Sequence, residues 1–119
     1  MPVSIAQIVI DCDDAVRLAG FWSQVLDRPV DEGAAPYFAT IGLRAPDGGP
    51  ALMFLKVDEP KTVKNRVHLD LTGPDWKDEV DRIAELGATR VAEYQEYGTH
   101  WVTLRDPEGN EFDVGAGMG

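Results

Sequence analysis

His68, Asp113 and Gln7 are the side chains in this sequence whose types could do chemistry together, and period-two alternation puts all three on matching faces. In the stretch 66–72, Val67, Leu69 and Leu71 share one apolar face, leaving Arg66, His68, Asp70 and Thr72 on the other. In 111–115, Phe112 and Val114 take the apolar side, so Glu111 and Asp113 point away. In 3–11, Ala6, Ile8 and Ile10 match the apolar set, leaving Ile5, Gln7, Val9 and Asp11 opposite. An imidazole, a carboxylate and an amide that converge can hold a divalent metal or a polar ligand. A His or Asp on a half-exposed strand face is more often solvated, so the residues alone leave both readings open.

Other reactive types are fewer. His100 packs with Val102 and Leu104 if Trp101, Thr103 and Arg105 form the opposite face; the reversed facing would offer it as a second base. The packed reading is favoured. Tyr37, Phe38, Tyr94, Tyr97 and Trp101 are candidate pocket aromatics for a flat apolar or cationic ligand, though half of them should be ordinary sheet packing. Lys61, Lys64 and Arg66 could meet an anion or merely pair with nearby carboxylates. Cys12 ends a strand without a neighbouring base and reads as a buried thiol.

The elements that must position these residues come in two similar sets. At an offset of 61, Gln7-Ile8-Val9-Ile10 falls on His68-Leu69-Asp70-Leu71. Ala15, Ala19, Trp22 and Val25 then fall on Trp76, Val80, Ile83 and Leu86, the three- and four-residue spacing of an amphipathic helix. Half-chain self-similarity suggests two copies of one supersecondary unit, which usually build a site where they meet.

The first set reads as strand 3–11, a helix capped by Asp13 or Asp14 and running to about Leu26, and strands 37–44 and 51–57 joined through the Pro46–Pro50 turn. The second reads as strand 66–72, a helix from about Trp76 to Leu86 capped by Asp75 and stopped by Gly87, then strands 89–96, 99–105 and 111–115. Trp22 and Trp76 fall on the apolar helix faces. Residues 115–119 should fray. Helices on one face of two small sheets would leave the opposite concave faces free.

Bulk properties narrow the function. The 119 residues, 44% hydrophobic and 27% charged, suit one globular domain. One cysteine rules out an internal disulfide, and no Cys/His cluster suggests structural zinc. The net charge is −10, with each half contributing −5, so nucleic acid is not an expected partner. An acidic surface favours a cationic ligand if the charges line a cleft, and otherwise maintains solubility. No apolar run approaches a membrane span and the N-terminus lacks a secretory pattern, so a soluble cytoplasmic protein is expected.

Three stretches carry a family resemblance: IVIDCDDAVRLAGFW from Ile8, PKTVKNRVHLDL from Pro60 and DPEGNEFDV from Asp106. With these the chain resembles the vicinal oxygen chelate superfamily, specifically its glyoxalase/bleomycin-resistance/dioxygenase-type domains. The resemblance implies an α+β fold of tandem βαβββ modules forming an incomplete barrel with a concave cavity, usually paired as a homodimer. Module one would span about 1–58, the linker 59–65 and module two about 66–115.

The resemblance also implies metal ligands at Gln7, His68 and Asp113, with the fourth falling near Met53 or Leu55, neither of which is a useful ligand. Asp113 stands where a Glu is usual. The implied metal is Zn, Fe, Mn or Ni; the residues themselves assign no cofactor. Three functions follow. One is a binding protein with a degenerate metal site, holding a small aromatic or cationic ligand in a cavity lined by Gln7, Leu55, His68, Trp101 and Asp113. Another is a metal-dependent lyase, isomerase or dioxygenase. A metal-free enzyme with His68 or Asp113 as general base is the third.

Overall fold

The computed structural model describes residues 2–116. The chain divides into two compact units, Met1–Pro60 and Lys61–Gly119. Both are α+β, each a helix against one small sheet, and neither sheet closes on itself.

In unit one, β1 (Ile8–Cys12) is followed by α1 (Ala15–Leu26), β2 (Phe38–Ile41) and β3 (Leu52–Lys56). The sheet order is β1-β3-β2, with β1 parallel and β2 antiparallel to β3. Helix α1 starts where the Asp14 carboxylate accepts the Arg17 amide at 3.2 Å, satisfying one of the unpaired first-turn donors. It stops at Asp27, which turns left-handed at φ 53°. Ala15, Leu18, Ala19, Trp22 and Val25 form its buried stripe, and the core is completed by Cys12, Ile41, Leu52 and Phe54. Each large aliphatic or Phe side chain buried there contributes about 1.5–3 kcal/mol.

Unit two runs β4 (Asp70–Thr72), α2 (Trp76–Glu85), β5 (Thr89–Glu96), β6 (Thr99–Arg105) and β7 (Glu111–Gly115). Its order is β4-β7-β6-β5, with only the β4–β7 pair parallel. Val80 and Ile83 of α2 are buried, as are Val102, Leu104, Phe112 and Val114 of the sheet. The two orders correspond once one strand is allowed to shrink. The place held by β5 in unit two is taken in unit one by a single antiparallel bridge, Val30 to Ile41.

Several expected boundaries move, each for a physical reason. The strand expected over 3–11 is confined to Ile8–Cys12, because its partner β3 begins only at Leu52, and the Ile8 amide donates to the carbonyl of Ala51 just ahead of it. Val3 and Ile5 are exposed. Strand 37–44 ends at Ile41: Gly42 turns at φ 72°, and the Leu43 and Arg44 amides bond to the Asp31 carboxylate instead.

Strand 66–72 shortens to Asp70–Thr72, and Val67, assigned to the core face, is 79% exposed. There the Asn65 carboxamide occupies the backbone of Glu111. Asp75 makes no capping bond to α2; Asp78 and Glu79 supply the negative charge of its first turn. Gly87 does take a positive φ, 127°. Gly115, placed in the frayed tail, is the last residue of β7, and 117–119 lie outside the described residues.

Candidate functional site

Strand β7 organises the face of unit two that looks away from the core. Phe112 and Val114 are 1% and 2% exposed, so Glu111 and Asp113 must project to the opposite side. Asp113 lies between Thr103 of β6 and Asp70 of β4 in the strand registers. Thr103 donates its hydroxyl to Asp113 Oδ1 at 2.6 Å. His68 Nδ1 lies 2.9 Å from Asp70 Oδ1 and 3.7 Å from Asp113 Oδ2.

One ligand atom from each of His68, Asp70 and Asp113 lies within 4.8 Å of the others. Asp113 is largely covered while Asp70 is exposed. Two carboxylates directly opposite on one sheet face repel each other unless a positive charge sits beside them. Such an arrangement suits a cation: a metal ion, an imidazolium or the charged end of a ligand.

The same face continues in both directions along β7. Beyond Asp113, Gly115 pairs with Trp101, and the Trp101 ring stacks on Tyr94 at 5.2 Å and 24°. A Cβ on Gly115 would meet the His100 carbonyl and come within 2.6 Å of Trp101 Cβ, so glycine is needed for this pairing. In the other direction Glu111 lies 3.5 Å from both Lys64 and Arg105. The basic residue Lys64 thus pairs with a carboxylate, and exposed pairs of this kind contribute little stability.

His100 belongs to the other face. Its Nε2 is 2.6 Å from Glu93, and its ring meets Trp76 edge-on at 4.9 Å. That is the packed arrangement, not a second base beside Asp113. The carboxylates held below their ordinary pKa lie outside the cluster. Burial would raise Asp31, but bonds from Thr40 and from the Arg44, Leu43 and Ala45 backbone outweigh it. The Arg28 guanidinium lowers Asp47, and Arg82 lowers Glu79.

Unit one offers a different set at equivalent positions. Val9 pairs with Met53 as Asp70 pairs with Asp113, and Thr40 pairs with Met53 as Thr103 pairs with Asp113. The counterparts of His68, Asp70 and Asp113 are therefore Gln7, Val9 and Met53, with one donor side chain for hard cations among them. Gln7 is half-buried just ahead of β1. Leu55 lies two residues beyond Met53, opposite Asp11 and Phe38.

Of the residues singled out from the sequence, His68 and Asp113 come together, with Trp101 on the same face. Asp70 and Thr103 complete the cluster. Alternation puts Asp70 on that face without giving it a role, although its spacing of two from His68 is the available signal.

Residues 7–115 match the sequence profile of the family described as Glyoxalase-like domain. No curated protein matches the sequence. Among solved structures, a glyoxalase/bleomycin resistance protein/dioxygenase family enzyme from Burkholderia phytofirmans is 22% identical, with a TM-score of 0.73 over 98% of this chain and 100% of that one. A mutant of the fosfomycin resistance protein FosX from Listeria monocytogenes, complexed with Mn(II) and dihydroxypropylphosphonic acid, is 13% identical, with a TM-score of 0.79 over 99% and 93%. Lactoylglutathione lyase from Agrobacterium tumefaciens is 17% identical, with a TM-score of 0.68 over 98% and 96%.

Proposed function

The chain belongs to the glyoxalase-like domain family of the vicinal oxygen chelate superfamily, and from that premise we propose that it binds a small cationic, flat ligand against the sheet face of unit two that carries Asp113. One observation carries this reading: the Asp70–Asp113 pair lies in register beside the Tyr94–Trp101 stack. The carboxylates supply the charge, His68 and Thr103 orient them, and the aromatic pair supplies an apolar floor. A cation over an aromatic face gains about 0.5–2 kcal/mol, depending on how far it is desolvated.

Thermal-shift titration with benzyltrimethylammonium and its uncharged isostere neopentylbenzene tests the proposal. A ligand that binds only the native state raises the melting temperature. The charged compound should stabilise the protein, the neutral one should not, and Asp113→Asn should reduce the difference. Equal shifts from both compounds, or a shift undiminished in Asp113→Asn, would sink it.

A second reading is favoured by the donor set itself. One imidazole and two carboxylates match the preferences of a borderline divalent cation such as Mn, Fe, Ni or Zn. His68, Asp70 and Asp113 would hold it, and it would supply Lewis-acid polarisation of ligand oxygens to a lyase, isomerase or dioxygenase. Metal analysis and Mn(II) titration followed by electron paramagnetic resonance separate the readings. Stoichiometric Mn(II), lost in His68→Ala, supports the metal centre; benzyltrimethylammonium binding without Mn(II) uptake supports the cation-binding protein.

A further inference from the structure

We infer that Asn65 is the positioning residue of this site: its carboxamide is wedged into the β4–β7 ladder and holds His68 over Asp113. Strand pairing shows where the wedge sits. The Asp113 amide donates to the Leu69 carbonyl at 3.0 Å. In a parallel ladder the same pattern repeats every two residues, so the Glu111 amide should donate to the Val67 carbonyl. Neither group does so. Glu111 N–H donates instead to Asn65 Oδ1 at 2.7 Å, and Asn65 Nδ2 donates to the Val67 carbonyl at 2.7 Å. The same Nδ2 reaches the Glu111 carbonyl at 3.1 Å. One side chain thus stands where a direct strand-to-strand bond would be, satisfying both edges that it separates.

The wedge has a consequence for the cluster. Residues 66–69 are spread from β7 at one end by Asn65 and tied to it at the other by Leu69, so His68 lies on a short bracketed span and not in a regular strand. From there its Nδ1 reaches Asp70 and approaches Asp113. Continued regularly, the β4–β7 register would place His68 opposite Glu111, two residues from Asp113. Asn suits the role because one planar group must both donate and accept. Asp lacks the donors, and an aliphatic side chain lacks both functions.

The functional side of this inference rests on the cation-site reading; the structural side does not, and the experiment keeps them apart. Asn65→Ala is compared with the unmodified chain by three measurements: His68 imidazole resonances in long-range 1H–15N spectra, amide exchange at Leu69 and Glu111, and Mn(II) affinity with the metal alone as probe. In Asn65→Ala the span should zip into the ladder. Leu69 amide protection should then rise and the His68 resonances should shift, while the melting temperature stays within a few degrees. Mn(II) affinity should fall by about 10- to 100-fold, the range seen when partners that orient ligands are removed.

His68 resonances and Leu69 protection unchanged in Asn65→Ala would overturn the inference. If the unmodified chain takes up no Mn(II), the metal reading fails, while the imidazole and amide measurements still decide the role of Asn65. Should Asn65→Ala not fold, Asn65→Ser, whose hydroxyl both donates and accepts, is measured the same way. Smaller changes in the same directions are expected there, and none would overturn the inference.

Discussion

Asp31 and Asp113 are the same residue type, yet their surroundings give them different work. Asp31 is 7% exposed and one of its oxygens accepts the Thr40 hydroxyl and the Leu43 and Arg44 amides, at 2.7, 3.0 and 3.0 Å. Its hydrogen-bonding capacity is committed to fixing the end of β2. Asp113 receives one hydroxyl, from Thr103, and faces a second carboxylate. A carboxylate supplied with donors is structural, whereas one set against another acid is available to a cation.

The Asp31 assignment has a pH signature. Its pKa is lowered from 3.8 because the hydrogen bonds outweigh the burial that would raise it. A folded-state value below the unfolded one gives stability that is full above the unfolded value and lost as pH falls through the folded one. Asp31→Ala should cost about 2–3 kcal/mol at pH 7, since it strands buried donors. The gap between the two proteins in urea midpoint should narrow from pH 5 toward pH 3. A gap that stays constant over that range would remove the charge from the explanation.

Among the elements, the three strands of the second hairpin region were legible to the residue: β5, β6 and β7 match 89–96, 99–105 and 111–115. Alternation and the Asp106–Asn110 turn sufficed because each strand has a neighbour along its whole length. β1 and β4 were over-extended because alternation reports which face a residue prefers, not whether a partner backbone is available. The start of β3 at Leu52 limits that partner for β1 and Asn65 intercepts it at β4, and neither effect has a period. The site was legible in the same measure. Alternation puts His68, Asp70 and Asp113 on such faces, whereas the Asp70–Asp113 pairing and the place of Thr103 needed the inter-strand register, which no single strand encodes.

Register also makes Gly115 predictable. A Cβ there meets the backbone of His100 and Trp101, which cannot rotate away as a side-chain tip could. Gly115→Ala should therefore part the β6–β7 pairing at Trp101, destabilise the protein by about 1–3 kcal/mol and weaken benzyltrimethylammonium binding. Gly73→Ala is the control, because its Cβ meets nothing within 4 Å. Substituting glycine by alanine at a compatible position stabilises by about 0.4–1 kcal/mol. Urea unfolding of both variants decides the matter: equal effects would mean that the contact at Gly115 is relieved without cost.

On the scale of the whole molecule, the charge of −10 is divided evenly between the halves, so the field cannot be assigned to one segment. An evenly acidic protein concentrates cations near its surface at low ionic strength, and salt removes that advantage because the Debye length is about 10 Å at 0.1 M. The local pair Asp70–Asp113 is different, since contacts a few ångströms long are screened much less. Binding of benzyltrimethylammonium should therefore have two separable parts. Raising NaCl from 20 to about 500 mM should weaken binding several-fold, through the long-range part. Asp113→Asn should lower affinity at every salt concentration while leaving the slope against salt nearly unchanged. If the substitution instead flattened the slope, the salt-sensitive attraction would reside in the site itself. A metal-like local centre would then describe the molecule better than an acidic surface guiding a ligand to an aromatic floor.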